Sequence, residues 1–507
     1  MGSRGKGLPL ALAGMAAALV GAPAVSGVPA PLGLERAGSL ADKALGWGEL
    51  CRGPANGRER VFVTPGQRLD RLVKRSRPGT IFCIRRGIHR LRSPLLAKSD
   101  QFFIGEPGSI LSGAKTITSE FRRSGSYWVA SGQVQENPEV NGLCRGGGSA
   151  CLYANDVFFD SRPLRRVLER GALGPGRFFF DYEADEIWIG SDPAGHRIEA
   201  AVARGAFRSW RTGVSRVVVR GLVIEKFANE GQTGAVQARD GWIIDGNEIR
   251  LNHGVGVQGG QLIIRNRIHH NGQLGISLYG GTDVLVAANE IAYNNYADYD
   301  WFWEAGGAKF TVTTRLIIRG NYVHHNRGAG LATDWDNIDA VYERNRVEDN
   351  AGVGIIHEAS YDAVIRNNIV LSNGWQMRNG FDGSGVLVNE SENVEIVHNV
   401  IVDNLHGVGV VASERTNGRF GAHNLRNVVV KDNTIAFTSR IGTTGLASGD
   451  PRDYENGNRF IGNRYTYCQP AAFAWRNPAG GYTFLTKRQW IAVGNDTTGS
   501  FRRVPRC

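Results

Sequence analysis

Residues 345–355 read Asn-Arg-Val-Glu-Asp-Asn-Ala-Gly-Val-Gly-Ile, and the same arrangement recurs along the chain. Each unit opens with Asn-x-Ile/Val-x-x-Asn, continues into a glycine-rich apolar run and ends in a polar turn. The first asparagine stands at 247, 266, 289, 321, 345, 368, 399 and 433. Seven of these eight have a second asparagine five residues later, whereas the last has Thr438. Recurrence every 19 to 34 residues predicts a solenoid, in which no unit can bury its apolar face alone.

Short strands fill each unit. Val217–Val219 is a β-branched run, and residues 254–257 and 407–410 both read Gly-Val-Gly-Val. The repeat contains neither a helical run of about 10 residues with a 3.6-residue apolar period nor a leucine-rich lattice. Glycine and asparagine accept the left-handed backbone that tight corners require. We therefore predict three short strands per turn in a parallel β-helix, with asparagine ladders along an inside corner.

The pattern over residues 215–448 resembles the pectate-lyase-like superfamily of right-handed parallel β-helix proteins. The resemblance implies an all-β, right-handed solenoid closed by caps at both ends. That superfamily contains polysaccharide lyases, glycoside hydrolases, uronate epimerases, phage tailspikes and non-enzymatic surface proteins. The fold alone therefore leaves the function open.

Five segments are expected along the chain. Residues 1–30 are predicted to be a secretory signal, because two basic residues precede an apolar run too short to cross a membrane. The other segments are an N-terminal cap with the first coils (31–115), an antiparallel β insert (116–210), the repeats (211–448), and a last coil with a C-terminal cap (449–507). The mature chain is expected to be extracellular or periplasmic and to lack a membrane span.

The six cysteines all lie outside the repeat. An even number in an exported chain favours disulfides, and six cysteines allow 15 pairings. We predict the pairings that are local in sequence: Cys51 with Cys83, Cys144 with Cys151, and Cys468 with Cys507. A metal site is not expected, since there is no Cys-x-x-Cys pair. The histidines at 253, 269, 270, 324 and 325 are predicted to pad an outer corner.

The formal net charge is +11, and the basic residues are scattered. This charge suits a polysaccharide partner, including an acidic one, but there is no nucleic-acid motif. The chain is expected to be a monomer.

Two insertions in the repeat are rich in aromatic side chains. Flat rings beside carboxylates are suitable for stacking against sugars, and a solenoid carries its insertions on one binding face. The alternative to sugar binding is that the aromatic rings of the loop pack against the side of the β-helix. The residues predicted to contact substrate are Tyr296, Tyr299, Trp301, Trp303 and Glu304 in the first insertion and Trp375 and Asp382 in the second.

Charged residues stand at one level of successive coils beside the first insertion. Lys309 and Thr333 both lie twelve residues before a ladder asparagine. Since parallel strands lie about 4.8 Å apart, side chains at this level can share one patch. The alternative is a solvated charged edge. The predicted catalytic residues are Lys309, Asp334, Asp336, His357 and Glu358.

Two reactions fit this patch, and a glycoside hydrolase is favoured. In a hydrolase, two of Asp334, Asp336 and Glu358 flank the glycosidic bond. In a lyase or epimerase, Lys309 or His357 removes a proton beside a uronate carboxylate, and Ca²⁺ is a possible cofactor. No cofactor is expected for a hydrolase.

Residues 304–309, Glu-Ala-Gly-Gly-Ala-Lys, resemble the Glu/Lys pair of the chondroitinase B and alginate lyase group. The arginine of that group is missing one coil later, where Leu-Ala-Thr occupies 331–333. The third interpretation is a non-enzymatic carbohydrate-binding or cell-surface protein.

Overall fold

The computed structural model describes residues 48–53, 57–117, 120–137, 141–209, 213–377, 380–413, 416–475 and 483–507. The predicted signal peptide lies outside the described residues. Over the described part, three sheets of thirteen strands each form the body of the protein. Consecutive strands of each sheet pair in parallel, except for the last pair of the third sheet, which is antiparallel. The predicted parallel β-helix is confirmed.

Between Ile81 and Ala474, apart from the insert, the chain visits the three sheets in turn, so one coil contributes one strand to each. The first sheet contains Arg60–Val63, Ile81–Ile84, Phe102–Gly105, Val218–Arg220, Ile243–Asp245, Leu262–Ile264, Leu285–Ala287, Ile317–Arg319, Ala340–Glu343, Ala363–Arg366, Val394–Val397, Val429–Lys431 and Arg459–Ile461. The second contains Gly87–Arg90, Ser109–Ser112, Val223–Glu225, Glu248–Arg250, Arg267–His269, Glu290–Ala292, Tyr322–His324, Arg346–Glu348, Ile369–Leu371, Val400–Val402, Thr434–Ala436, Arg464–Tyr467 and Ser500–Arg503. The third contains Leu95–Leu96, Phe207–Arg208, Gly234–Gln237, Val255–Gln258, Leu274–Tyr279, Gly306–Thr311, Ala329–Asp334, Ile355–Glu358, Ser384–Asn389, His406–Val411, Thr444–Ala447, Ala471–Ala474 and Phe484–Thr486.

The asparagines of the repeat form two ladders, one at each corner that flanks the second sheet. In both ladders the Nδ2 atom of one asparagine donates to Oδ1 of the asparagine in the next coil. The first ladder runs through Asn247, Asn266, Asn289, Asn321, Asn345, Asn368, Asn399, Asn433 and Asn463, with Nδ2–Oδ1 distances of 2.9–3.0 Å. The second runs through Asn252, Asn271, Asn294, Asn326, Asn350, Asn373 and Asn404 at 2.8–3.0 Å. These amides satisfy buried backbone groups at the corners, as the sequence predicts.

The first ladder ends on a carboxylate. Asp496 Oδ1 accepts from the backbone N and from Nδ2 of Asn463, both at 2.9 Å. Its Oδ2 accepts from the Tyr465 hydroxyl at 2.7 Å and from Trp490 Nε1 at 3.0 Å. A buried carboxylate that accepts four hydrogen bonds is well satisfied, so Asp496 completes the ladder at the C-terminal end.

Helices close both ends of the apolar interior. The α-helix Leu69–Arg75 buries Leu69 and Val73 against the first coils. At the other end, the α-helix Lys487–Ala492 begins with a capping box and buries Trp490 completely against Phe473. The caps cover apolar surface that an open solenoid end would expose.

An insert of two small sheets separates the early coils from the regular repeat. One sheet contains Arg122–Ser124, Tyr127–Ser131, Arg165–Arg166, Arg177–Asp181 and Glu186–Ile189, and the other contains Ala114–Thr116, Val157–Phe159, Arg162–Pro163 and Ile198–Ala201. Their pairing is antiparallel, except between the strands that begin at Arg165 and Arg177. A buried ion pair between Lys226 and Glu199, at 2.6 Å, ties the insert to the β-helix.

The remaining short elements lie in connections. They are the α-helix Trp301–Glu304, the π-helix Gly48–Arg52, the 3₁₀ helices Arg145–Gly147, Ala150–Leu152, Arg170–Ala172 and Pro451–Tyr454, and the hairpin of Asn417–Gly418 with Gly421–Ala422. All three predicted disulfides are confirmed: Cys51–Cys83, Cys144–Cys151 and Cys468–Cys507. Among the described residues, no helix has the length and apolar character needed to cross a membrane.

Candidate active site

The outer face of the third sheet carries the charged patch. Along a strand, successive side chains face opposite sides of the sheet. Thr333 and His357 are fully buried inside the β-helix, while their neighbours Asp334 and Glu358 are partly exposed on the outside. Asp334 is the direct register partner of Glu358 in the adjacent coil. The two carboxylates therefore lie on one face, in consecutive strands.

Lys309 lies between two carboxylates. Its Nζ is 2.9 Å from Asp334 Oδ2 and 3.0 Å from Glu304 Oε1, and the lysine side chain is 17% exposed. Burial lowers the pKa of Lys309, but the negative charges of Asp334 and Glu304 raise it more, and the net shift is upward. The lysine is therefore held as an ammonium group.

The end of the first aromatic insertion positions Glu304. The Asp300 side chain caps the short helix Trp301–Glu304 by accepting from the Phe302 backbone N at 2.9 Å. Gln273 Nε2 donates to the Glu304 carbonyl at 2.7 Å. This support fixes the backbone from which Glu304 reaches Lys309.

A chain of polar side chains extends from Glu358 toward the next coils. Asn389 is the register partner of Glu358, and its Nδ2 donates to Glu358 Oε1 at 3.0 Å. Ser413 Oγ donates to Asn389 Oδ1 at 2.8 Å, which fixes the orientation of the amide. The Ser413 backbone N donates to Glu390 Oε2 at 2.7 Å. Burial raises the pKa of Glu390 to about 7, and the nearby Asp453 and Asp450 add to the rise.

A loop that follows the strand His406–Val411 forms one wall of the patch. Asp336 Oδ1 accepts from Arg419 N at 2.9 Å and from His423 Nε2 at 3.0 Å. A Cβ on Gly418 would lie 2.1 Å from this oxygen, so the loop requires glycine there. Asp336 is 7% exposed and anchors the wall. A catalytic role for Asp336 stays a prediction.

The second insertion covers the far side of the patch through Phe381. This ring packs with Val353 and Leu387 on the outer face of the third sheet. Burial raises the pKa of the adjacent Asp382. Trp375 is half exposed, and its Nε1 donates to the Asp349 carbonyl at 3.1 Å, at the corner between the second and third sheets. Sugar contact by Trp375 and Asp382 stays a prediction.

Most aromatic rings of the first insertion are packed against the body of the protein. Tyr299 is fully buried, with its hydroxyl 3.2 Å from His253 Nε2. The Tyr296 hydroxyl donates to Asp156 Oδ2 at 2.6 Å. The full burial of Tyr299 corrects its prediction as a sugar platform. Tyr296 joins the loop to the insert, and its contact with sugar stays a prediction. Asp156 also binds His253 Nδ1 at 2.9 Å, so His253 is a buried link and does not pad an outer corner.

The tryptophans of this insertion are partly buried. Trp301 lies under the Arg145 guanidinium, 4.2 Å from the ring centroid, and Trp303 stacks on Tyr299. Their contact with substrate stays a prediction. Phe302, which the sequence interpretation did not select, is 71% exposed.

His357 is directed into the β-helix interior. Its Nε2 donates to the Tyr361 carbonyl at 2.9 Å, so Nδ1 accepts from the Thr333 hydroxyl at 2.7 Å. Burial lowers the pKa of His357 to about 4. The predicted role of His357 as a base is corrected, because the ring does not reach the outer face.

Two pairs of neighbouring histidines lie at the ends of strands of the second sheet. The Nδ1 atoms of His269 and His270 lie 2.8 Å apart, and those of His324 and His325 lie 3.0 Å apart. Tyr293 stacks between the two pairs. Within the described ranges, no three His, Cys, Asp or Glu side chains are arranged to hold a metal ion.

Comparison with known proteins agrees with this architecture. A family model described as a right handed beta helix region matches residues 233–401 and 339–435. No curated protein matches the chain. The solved structure of XylC in complex with xylose has 14% sequence identity and a TM-score of 0.63, and the match covers 80% of this chain and 83% of XylC.

Two further solved structures show weaker similarity. A glycoside hydrolase has 9% identity and a TM-score of 0.43, over 79% of this chain and 98% of its own. The A-module of Azotobacter vinelandii mannuronan C-5 epimerase AlgE4 has 12% identity and a TM-score of 0.45, over 80% of this chain and 91% of its own. At such low identity the likeness concerns the fold. The three parallel sheets, the family model and the XylC comparison agree on a right-handed parallel β-helix fold.

Proposed function

We propose that the protein is a secreted glycoside hydrolase that cleaves a neutral polysaccharide or oligosaccharide with retention of anomeric configuration. The observation that carries the proposal is the register pairing of Asp334 with Glu358 on the outer face, with Lys309 bound to Asp334. The three disulfides fit an oxidising compartment outside the cytoplasm.

The spacing of the two carboxylates supports a retaining mechanism. Adjacent strands lie about 4.8 Å apart, which places registered side chains close to the separation of about 5–5.5 Å found in retaining enzymes. An inverting enzyme needs a gap of about 6.5–9.5 Å to admit a water molecule between its two carboxyl groups. Carboxylates in consecutive coils fit the shorter distance.

The environment of each carboxylate suggests its role. Asp334 is bound to the Lys309 ammonium, which holds its carboxylate on the outer face and suits the role of nucleophile. In the first step Asp334 attacks the anomeric carbon while Glu358 gives its proton to the departing glycosidic oxygen. In the second step Glu358 takes a proton from water, and the hydroxide displaces Asp334 from the sugar. Asn389 holds Glu358 in place throughout.

The charge of the patch disfavours a lyase or epimerase. A uronate must bring its own carboxylate next to Glu304, Asp334 and Glu358, and the Lys309 ammonium is already bound to two of these carboxylates. The base of such a reaction must also accept a proton, and the raised pKa of Lys309 opposes its neutral form. The same charges favour a neutral glycan, and the proposed hydrolysis uses no cofactor.

The test is a screen of the mature protein against neutral and uronate-rich glycans. New reducing ends and the absorbance of unsaturated uronates are recorded together. Xylo-oligosaccharides come first in the panel because XylC, which has this fold, was solved with xylose. We expect reducing ends without the absorbance, and a loss of at least about a thousandfold in kcat for Asp334→Asn and for Glu358→Gln.

Matched variants separate catalysis from folding. Asp240→Asn and Glu395→Gln make the same chemical changes at exposed positions away from the third sheet's outer face. Both should keep wild-type activity. A rise in absorbance that Lys309→Ala abolishes would establish a lyase, and glycan binding without any cleavage would establish a carbohydrate-binding protein.

A further inference from the structure

The polarity of the outward-facing side chains of the third sheet changes on either side of the Asp334–Glu358 pair. Toward the N-terminus its outward positions are polar: Lys309 pairs with Ser277, and Ser277 pairs with Gln258. On the C-terminal side the corresponding positions are Ile356 and Leu387, which pair with each other. In the register row that contains Lys309, the N-terminal half of the face is therefore polar and the C-terminal half is apolar, while the neighbouring row of Asp334 and Glu358 continues with the polar Asn389.

Phe381 covers the apolar half. The ring is 5% exposed and packs with Leu387, while Ile356 and Val411 pack against the same cluster. A Cβ on Gly409 would lie 2.7 Å from the ring, so the phenyl group rests directly on the strand backbone. No sugar can lie on the sheet where Phe381 already does.

The polar half is open. Tyr279 ends the strand next to Lys309 and is 82% exposed, with Thr311 as its register partner. Two strand spacings, about 10 Å, separate this ring from Asp334. An exposed tyrosine on a polar floor offers a flat face for a sugar ring and a hydroxyl for its edge. On this side of the catalytic pair the floor is therefore open to a sugar chain.

We propose that the enzyme acts from a chain end, with Phe381 as the residue that blocks the cleft beyond the catalytic pair. This inference rests on the proposed hydrolase function. The terminal part of the glycan lies between the carboxylate pair and Phe381, and the rest of the chain extends over Lys309, Ser277 and Tyr279. Water adds its hydroxyl to the anomeric carbon and its proton to the leaving oxygen, so each turnover releases one short terminal fragment.

The experiment follows the products of a linear hexasaccharide of the glycan cleaved in the screen, starting with xylohexaose labelled at its reducing end with 2-aminobenzamide. Chromatography at the first few per cent of conversion should show one short product and one shortened chain. Fragments of all lengths at that stage would overturn chain-end action and leave the hydrolase function intact. If no glycan is cleaved, the hydrolase proposal fails, and this inference fails with it.

Two variants test the two ends of the cleft. Phe381→Ala should add internal cleavage products to the wild-type pattern. Because Phe381 is buried, its variant is checked for a wild-type unfolding midpoint, and Tyr279→Ala provides a test at an exposed position. Tyr279→Ala should lower kcat/KM about tenfold for the hexasaccharide and leave the disaccharide unchanged. The exposed aromatic control Phe62→Ala should change neither substrate. Equal effects of Tyr279→Ala on both substrates would contradict the proposed cleft.

Discussion

Lys309 Nζ lies 2.9 Å from Asp334 Oδ2, and the two side chains come from adjacent coils of the third sheet. Both side chains are mostly shielded from water, at 17% and 28% exposure, so the pair is less screened than a surface salt bridge. The same lysine also contacts Glu304. It therefore joins an inserted loop to two successive turns of the β-helix.

The Lys309–Asp334 pair should show energetic coupling. Lys309→Met leaves two carboxylates facing each other, and Asp334→Asn leaves the lysine with one partner. We expect the double variant to be about 1–2 kcal/mol more stable than the sum of the single losses predicts. Urea unfolding of the four proteins measures this difference. Strictly additive losses would show that the contact contributes nothing to stability.

Buried His357 should make the protein sensitive to acid. Its folded pKa of about 4 lies below the ordinary value of 6.5, because burial disfavours the charged ring. The resulting stabilisation is complete above pH 6.5 and is lost as the pH falls to about 4. The shift corresponds to about 3 kcal/mol. The difference in unfolding free energy between wild type and His357→Gln should shrink by this amount between pH 7 and pH 4.

The control for this measurement is His398→Gln, since His398 is exposed at a corner of the repeat. Its difference from wild type over the same range is the reference for that of His357→Gln. A constant difference for His357→Gln would contradict the burial of a neutral imidazole.

The pH dependence of stability that Glu390 causes should be opposite to that of His357. The folded pKa of Glu390, about 7, lies above the ordinary 4.5, mainly because of burial. Its contribution to stability is present below pH 4.5 and is lost as the pH rises through about 7. Glu390→Gln, which resembles the protonated carboxyl group, should gain at most about 3 kcal/mol relative to wild type between pH 4.5 and pH 8, because solvent screens part of the effect at this partly exposed site. Denaturant midpoints measure the gain, and exposed Glu395→Gln should show none.

A mid-ladder asparagine should contribute more to stability than an exposed one. Asn345 Oδ1 accepts from Asn321 N and Nδ2, both at 3.0 Å, and its own Nδ2 donates to Asn368 Oδ1 at 3.0 Å. Asn345→Ala leaves the buried backbone N of Asn321 without its partner and removes one of the two hydrogen bonds of Asn321 Nδ2, which should cost about 3 kcal/mol. The exposed Asn424→Ala should cost no more than about 0.5 kcal/mol in the same urea titration. Equal losses of unfolding free energy in the two variants would show that the ladder hydrogen bonds do not stabilise the fold.

The body of the fold could be predicted from the sequence because the ladder asparagines must recur once per coil. Asn345 and Asn350 mark the two corners of one coil, and between them Val347 packs into the core while Arg346 is exposed. The same reasoning brings Lys309 and Asp334 together. Strand alternation also predicts the inward orientation of His357. Neighbouring residues of a strand face opposite sides of the sheet, and Glu358 faces outward.

The parts that could not be predicted depend on contacts between distant segments. The sequence does not indicate that the loop around Gly418 returns to Asp336, or that Asp156 of the insert binds Tyr296 and His253. In both cases an aspartate that the sequence would allow to be a site residue instead forms hydrogen bonds with residues distant in sequence. The packing of Phe381 on the third sheet also depends on tertiary structure. The sequence shows only that an aromatic residue lies in a loop, and does not show which surface it covers.

The first asparagine ladder has a direction: every Nδ2 donates toward the C-terminus, and the last acceptor is Asp496. Each internal asparagine accepts from the coil before it and donates to the coil after it, so all internal positions are chemically interchangeable. Asp496 is different, since an ionised carboxylate accepts and cannot donate onward. Gene duplication can therefore lengthen this protein by whole coils between Asn247 and Asn463 without new corner chemistry, while a coil added after Asp496 finds no donor to continue the row.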